Sequence, residues 1–488
     1  MNQSVVLTRN TLFMVFAELA KPLVSYFLIV YISRGMGKEG VGLYSTVLSL
    51  LVFFETFAIL GIGNVITRDV AVEPGRASTY FSSALVVGVI TTALSLVILV
   101  FLPMWLRFEP KVRSGIGIIS VSMIFFISTS IIQAFFEGLQ RMEYKSIGNT
   151  LETFLRVFSG ILAIRYGYGI EGVLWSMVAV RIVIFLYSAI TILRLIPGPL
   201  AWPEKNLVVG LIGQSMTFLL IAFMSAAYSN MDILILSQSR GSEEVGTYAA
   251  ASRLMIILKG LSTGYIVALF PQMAFAYSRS AKTLCTRCSQ SIKYILVLSI
   301  PATIGTTVLS PQIIRKIYGY QFVESTLCLQ ILIWTILAFP VGLVLARALV
   351  ASHHQMYDLY ANAAVMVSSL ALYLTLIPMW SATGAALATV LSMLIFLCVE
   401  YAFVRRLLFK LSFFTFCAKP LTAGILMGLC TYAIRDHNLL AVILISTFTY
   451  LLLLILLKTF SSEEIETFHQ VWREKYRLLT SQWSEGSQ

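Results

Sequence analysis

Charged side chains inside apolar runs are the residues of this sequence best placed to do chemistry. They are the bases Lys21, Arg156, Arg181, Arg253, Lys259 and Arg347 and the acids Glu18, Glu55, Glu152 and Asp232. A charge at bilayer depth costs about 3 kcal/mol or more unless it faces water or a partner. Groups kept there at such a cost hold or steer charge. Thr11, Glu18, Lys21 and Ser25 fall on one helical face, which is expected to line a wet cavity. A Glu18–Lys21 pair that neutralises itself between helices is the alternative. Tyr248, Ser252, Lys259 and Ser262 form a second polar stripe, so Lys259 is expected in a cavity. Arg253 lies on another face and either joins the cavity or pairs with Asp232. Arg181 has no partner nearby in sequence, whereas Glu152 and Arg156 stand in the favourable order for an ion pair within one helix. Lys21, Arg253, Lys259 and Arg181, with Glu18, are therefore candidates to bind an anionic cargo. Asp232 and Glu55 are candidates to bind a coupling cation or proton.

Other chemistries lack their residues. No G-x-x-x-x-G-K-[ST] loop is present, and Gly35-Met36-Gly37-Lys38-Glu39-Gly40 echoes it only superficially, so ATP hydrolysis by that route is excluded. No H-E-x-x-H or comparable metal spacing occurs, and no metal or organic cofactor is expected. Cys285 and Cys288 form a C-x-x-C in a basic loop without a second pair or a neighbouring His, short of the four ligands of a closed zinc site. The outer loops are short, with no room for a polymerase or ligase site, so the chain is not read as an enzyme. The net charge of +12 is spread over many loops rather than gathered in one domain. Retention of Lys and Arg on one side of a membrane explains it without nucleic acid.

The elements that must position these charges follow from composition. The chain has 488 residues, 58% hydrophobic and 12% charged, against about half and a quarter in a soluble domain. Its apolar runs have the ~20-residue length of a transmembrane helix, and the alternating segments of a membrane β-barrel are missing. An all-α integral membrane protein of about fourteen transmembrane helices is predicted. The bias of Lys and Arg places both termini in the cytoplasm.

The sequence repeats itself. Ser33 to Tyr44, SRGMGKEGVGLY, and Ser239 to Tyr248, SRGSEEVGTY, share Ser-Arg-Gly, an acid, and Val-Gly-x-Tyr at the start of the following run. Glu137 to Asn149 resembles Ala351 to Asn362, and Gly169 to Val173 resembles Ser381 to Ala385. Two parallel six-helix repeats are expected, as a lobe over 1–200 and a lobe over 201–410, with further transmembrane helices over 411–460. Parallel repeats of this kind place a transport site at the lobe interface. Over 461–488, the capping pattern Ser461-x-x-Glu464 and the spacing of Ile465, Phe468, Trp472, Tyr476 and Leu479 predict a cytoplasmic amphipathic helix on the membrane surface.

Through SRGMGKEGVGLY (33–44), LGIGNVITRDVA (60–71), MDILILSQSRGSEEVGTYAAASRL (231–254) and GAALAT (384–389), the chain resembles the multidrug/oligosaccharidyl-lipid/polysaccharide exporter superfamily. Its polysaccharide-biosynthesis branch, the O-antigen-type flippases, is the one it looks like. The resemblance implies two six-helix bundles forming a V-shaped central cavity, plus two C-terminal helices. It also implies a flippase of the bacterial cytoplasmic (inner) membrane. Such a protein moves an undecaprenyl-pyrophosphate-linked oligosaccharide between leaflets by alternating access, for lipopolysaccharide or another surface polysaccharide. Its partners would be that lipid-linked oligosaccharide, membrane lipid and the polysaccharide polymerase machinery, with Na+ or H+ as the coupling ion in an antiporter-like cycle. The alternatives are a cation-coupled multidrug exporter of the same fold and a flippase of the lipid-linked peptidoglycan precursor. The bases within the spans favour an anionic cargo.

Overall fold

The computed structural model describes residues 3–106, 108–195, 201–460 and 466, with side chains from Val24 onward except at 103–105, 217, 221, 225, 261 and 413–416. The side chains of Glu18 and Lys21 lie outside the described residues, as does the amphipathic helix expected over 461–488 apart from Glu466.

With no water in the hydrocarbon to satisfy backbone groups, long apolar runs must close their hydrogen bonds internally. The described chain accordingly folds into fourteen α-helices. The first set is α1 (Gln3–Ile59), α2 (Ile62–Val72), α3 (Ala77–Trp105), α4 (Pro110–Gly138), α5 (Met142–Arg165) and α6 (Gly169–Leu195). The second is α7 (Lys205–Arg240), α8 (Ser242–Arg279), α9 (Ala281–Tyr318), α10 (Ser325–Leu332), α11 (Thr335–Ala351) and α12 (Gln355–Leu407). Helices α13 (Phe413–Ala433) and α14 (Leu439–Leu456) follow. Among the described residues, eleven helices are long and apolar enough to cross a membrane. Two of them are bent back at one residue, α1 at Gly37 and α12 at Ser381, so each supplies two arms.

Lipid-facing and protein-facing stripes are plain on α14. Leu444, Phe448, Leu451 and Ile455 are exposed, while Val442, Ser446, Tyr450 and Leu454 are buried. Both sets follow helical spacing. The buried stripe is fixed by polar contacts: Tyr450 donates to the Val297 carbonyl at 2.9 Å, and Thr431 and Ser446 hydroxyls meet at 2.7 Å. Such bonds hold helices together where lipid supplies no hydrophobic drive.

The sequence repeats reappear as backbone conformation. Gly37 and Gly241 are both left-handed in φ with extended ψ, at φ 66° and 83°. Gln140 and His353, at φ 58° and 64°, occupy matching places in the second repeated stretch, and Gly169 and Ser381, at 62° and 52°, in the third.

The two motif copies meet each other. Helices α1 and α8 cross so closely that a Cβ on Gly42 would lie 1.7 Å from the Ser242 carbonyl oxygen. A Cβ on Gly246 would lie 1.9 Å from that of Lys38. Gly42 and Gly246 are motif equivalents, and so are Lys38 and Ser242, so the contact is near-twofold. Flanking bonds follow the same logic. Glu109 accepts from the Ser242 amide at 3.0 Å and its hydroxyl at 2.6 Å, and Glu324 forms an ion pair with Lys38. Arg34 donates to the Lys316 and Ile317 carbonyls at the end of α9, and Arg240 to the Pro378 carbonyl before the bend of α12. This crossing joins the two sets of helices at one face of the molecule. At the opposite face α2 approaches α7 through Arg68 with Gln214, and Arg76 just before α3 pairs with Glu204 just before α7.

Candidate cation-lined cavity

Helix α8 leaves the seam at Gly246 and carries Tyr248, Ser252, Arg253 and Lys259 inward. With Asp232, Tyr228 and Asn230 of α7, Phe339 of α11, and Tyr373 and Thr389 of the two arms of α12, they line a cavity of about 370 Å³. That volume falls in the ~300–1,000 Å³ range of ligand pockets. The cavity is built by second-set helices, with Arg253 at its boundary: the Arg253 charge is felt by Tyr44 of α1, Arg156 of α5 and Tyr318 of α9.

The acid of the cavity is tied down. Asp232 is 9% exposed; its Oδ1 accepts from the Ile233 amide at 2.8 Å and its Oδ2 from the Tyr248 hydroxyl at 2.6 Å. The Thr389 hydroxyl lies 3.1 Å from that of Tyr248 and 3.2 Å from that of Tyr373. One polar chain thus links α7, α8 and both arms of α12. The bases are not tied down. Arg253 Nε is buried with no hydrogen-bond partner among the described residues. Lys259 Nζ stands 5.5 Å from the centre of the Phe339 ring, a cation–π contact that leaves its N–H donors free to face the cavity. Neither base forms an ion pair with Asp232 within 4 Å among the described residues, although both charges reach it. The cavity therefore sets two cationic residues beside one acid that is already bonded.

Two further candidates, assigned to different tasks by sequence, come together elsewhere. Arg181 Nη1 forms an ion pair with Glu55 and donates to the Ser122 hydroxyl at 2.7 Å, with the guanidinium 4.5 Å from the Phe126 ring centre. Both side chains are under 10% exposed, so the structure places Arg181 and Glu55 as a packed pair inside the first set of helices. Removing one partner of a buried pair typically costs about 3–5 kcal/mol, because the other charge is stranded. Arg181→Ala is expected to lower stability by that amount, and Arg181→Met with Glu55→Leu to recover most of it. Thermal unfolding in detergent tests this, and additive losses in the double variant would refute the pairing.

Arg156 is the cation that sequence spacing assigned elsewhere. It turns from Glu152 to α1, where its Nη2 donates to the Ser25 hydroxyl at 3.1 Å. Tyr26 of the same helix donates to the Tyr318 hydroxyl at 2.8 Å. Sequence marks Arg156 as a charge within a span and sets it beside Glu152, whereas Tyr228, Tyr373 and Thr389 carry no sequence signal for a site. Only their convergence in space marks them.

The sequence profile of the polysaccharide biosynthesis protein family matches residues 7–276. A "Probable low-salt glycan biosynthesis flippase Agl15" of Haloferax volcanii is 23% identical over 372 residues, covering 75% of this chain and 76% of that protein. In fold, the chain is similar to "Lipid II flippase MurJ, inward closed conformation", with TM-score 0.77, 15% identity and coverage of 91% of this chain and 98% of the other. It is also similar to the inward-facing conformation of a MATE family multidrug resistance transporter of the MOP superfamily. There the TM-score is 0.66 and the identity 14%, covering 80% of this chain and 97% of the other.

Proposed function

Since the chain belongs to the polysaccharide biosynthesis protein family, we propose that it is a flippase for a lipid-linked oligosaccharide with a pyrophosphate bridge, of the undecaprenyl type. The observation that carries this is the pair of cations lining the cavity, Arg253 with its buried Nε unbonded among the described residues and Lys259 beside the open space. A pyrophosphate cannot enter hydrocarbon bare, since an isolated charge there costs tens of kcal/mol. Cationic donors at mid-membrane offset that cost while the lipid tail stays in the bilayer. Lys21 is proposed to supply a further cation from α1. The α1–α8 seam is the outer gate in this reading, both termini are cytoplasmic, and the membrane is the bacterial inner membrane.

A lipid-linked peptidoglycan precursor has the same polyprenyl pyrophosphate chemistry, and the fold similarity to a lipid II flippase favours keeping it as the second reading. Proteoliposomes loaded with fluorescent lipid-linked oligosaccharide or with lipid II separate the two. Movement of the first only supports the proposal; movement of lipid II only transfers the site to the precursor; movement of neither refutes both. A cationic drug is disfavoured by the sign of the cavity.

Alternating access without ATP needs a ligand that distinguishes the two states. Asp232 is the proposed ion-coupling residue, because its hydrogen-bond chain ties α7, α8 and both arms of α12 together beside the cavity cations. Asp232→Asn is expected to keep cargo binding and to lose the dependence of flipping on a Na+ or H+ gradient. Glu55→Gln is expected to lower stability and leave that dependence in place. An unaltered gradient dependence in Asp232→Asn ends the coupling assignment.

A further inference from the structure

At the face opposite the seam lies a second buried acidic group, remote from the cavity. Helix α12 doubles back at Ser381, so its two ends return to the same depth. Asp358 in its first turn and Glu400 near its end both lie roughly 30 Å from the bend at ~1.5 Å per residue. Their carboxyls face each other. Glu400 is 0% exposed, and neither of its oxygens receives an N–H or O–H donor from the described residues. What stands opposite is the Asp358 carboxyl, an acceptor unless one of the two acids carries a hydrogen. Asn362 Nδ2 already donates to Asp358 Oδ1 at 2.7 Å and to the Asp358 carbonyl at 2.8 Å. Arg347 of α11 is the charged group that reaches Asp358 from a neighbouring helix, without an ion pair within 4 Å among the described residues. Its Nε is buried and unbonded, and its guanidinium lies 6.0 Å from the Phe270 ring centre.

We propose that Asp358 and Glu400 share one proton and form a proton-binding site joining the two arms of α12 at this face. Two ionised carboxylates cannot face each other in a dry contact, and one shared proton resolves the conflict. A proton fits better than a metal ion. The acids face each other directly, whereas a metal ion would sit between them and hold them apart. With Arg347 charged, one proton makes the cluster neutral. Asp358 is half-buried while Glu400 is fully enclosed, so a proton enters from the aqueous side through Asp358. Loss of the proton sets two negative charges against each other and drives the arms of α12 apart. The packing of the second set of helices at this face thereby responds to the pH of the compartment it meets.

The test uses the full chain in lipid nanodiscs, followed by infrared spectroscopy across a pH titration. The wild type is expected to show a carboxylic-acid C=O band that disappears as pH rises, absent from Glu400→Gln and Asp358→Asn. The native state holds a proton that the unfolded chain releases, so raising pH must favour unfolding. Thermal stability of the wild type is accordingly expected to fall with rising pH, and that slope to be lost in Glu400→Gln, whose amide donates to Asp358 in the proton's place. If Glu400→Gln does not fold, Asp358→Asn carries the same comparison. A band and slope retained in the variant overturn the proposal. So does a band that Na+ removes at fixed pH, which would make the pair a metal-ion site.

Discussion

Arg253→Ala and Lys259→Ala are each expected to slow flipping of lipid-linked oligosaccharide about tenfold to a hundredfold. A hydrogen bond to a charged group contributes about 1.5–3 kcal/mol, and each ~1.4 kcal/mol is a factor of ten. Both residues line the cavity. For Arg253 the native protein also leaves a buried donor unbonded, so removing it relieves a cost in the empty state and forfeits a gain in the loaded one. The loss is therefore expected in transport and not in thermal stability. Arg253→Lys is expected to recover part of the rate, since a point charge remains while the planar fork is lost. The assay is leaflet exchange of a fluorescent lipid-linked oligosaccharide in proteoliposomes, run beside thermal unfolding of the same variants. Normal flipping in both alanine variants would remove the cavity from the transport path.

Gly42→Ala and Gly246→Ala are expected to have the other large effect, by preventing closure of the seam. The added Cβ would meet backbone oxygens of Ser242 and Lys38 at under 2 Å, and backbone cannot rotate away as a flexible side chain can. Overpacking of this kind costs about 1–3 kcal/mol where the structure can adjust, and the adjustment here is separation of α1 from α8. A cost of about 3 kcal/mol confined to the closed state shifts the open-to-closed ratio roughly 150-fold. Spin labels at the exposed positions Tyr168 and Tyr320 should report a longer distance in both variants, with flipping lost. The same distance distribution as the parent, with normal flipping, would show that the seam need not close. Gly117→Ala, where a Cβ meets nothing within 4 Å, is the control.

How far the sequence could be read depended on the kind of information each feature needs. Span length and the repeated glycine motif are local properties, and the structure returns them as helices and as matching left-handed residues. Partner choice among buried charges is not local. Arg156 bonds Ser25 on α1, and Arg181 meets Glu55, because each helix is rotated about its axis by packing on all sides. In a membrane helix apolar on every face, the sequence does not record that rotation. Sequence could mark Lys259 because polar neighbours share its stripe. Tyr373 and Thr389 sit in stretches that read as plain grease, so their place beside Asp232 emerges only once α12 doubles back. The acid pair Asp358 and Glu400 depends on the same fold-back. The faces given to Glu18 and Lys21 belong to side chains outside the described residues.

The crosswise meeting of Gly42 with Ser242 and of Gly246 with Lys38 also limits the kind of motion the molecule can use. Axial sliding by one helical turn, about 5.4 Å, would carry each glycine out of register and bring the residues one turn along, Ser45 or Thr46 and Ala249 or Ala250, toward an opposing backbone that leaves no room for a Cβ. Tilting lifts the two strands of contact apart without any such collision. Rocking of α1 against α8 is therefore the motion that this contact permits, with the widest clearance developing at the end farthest from the pivot.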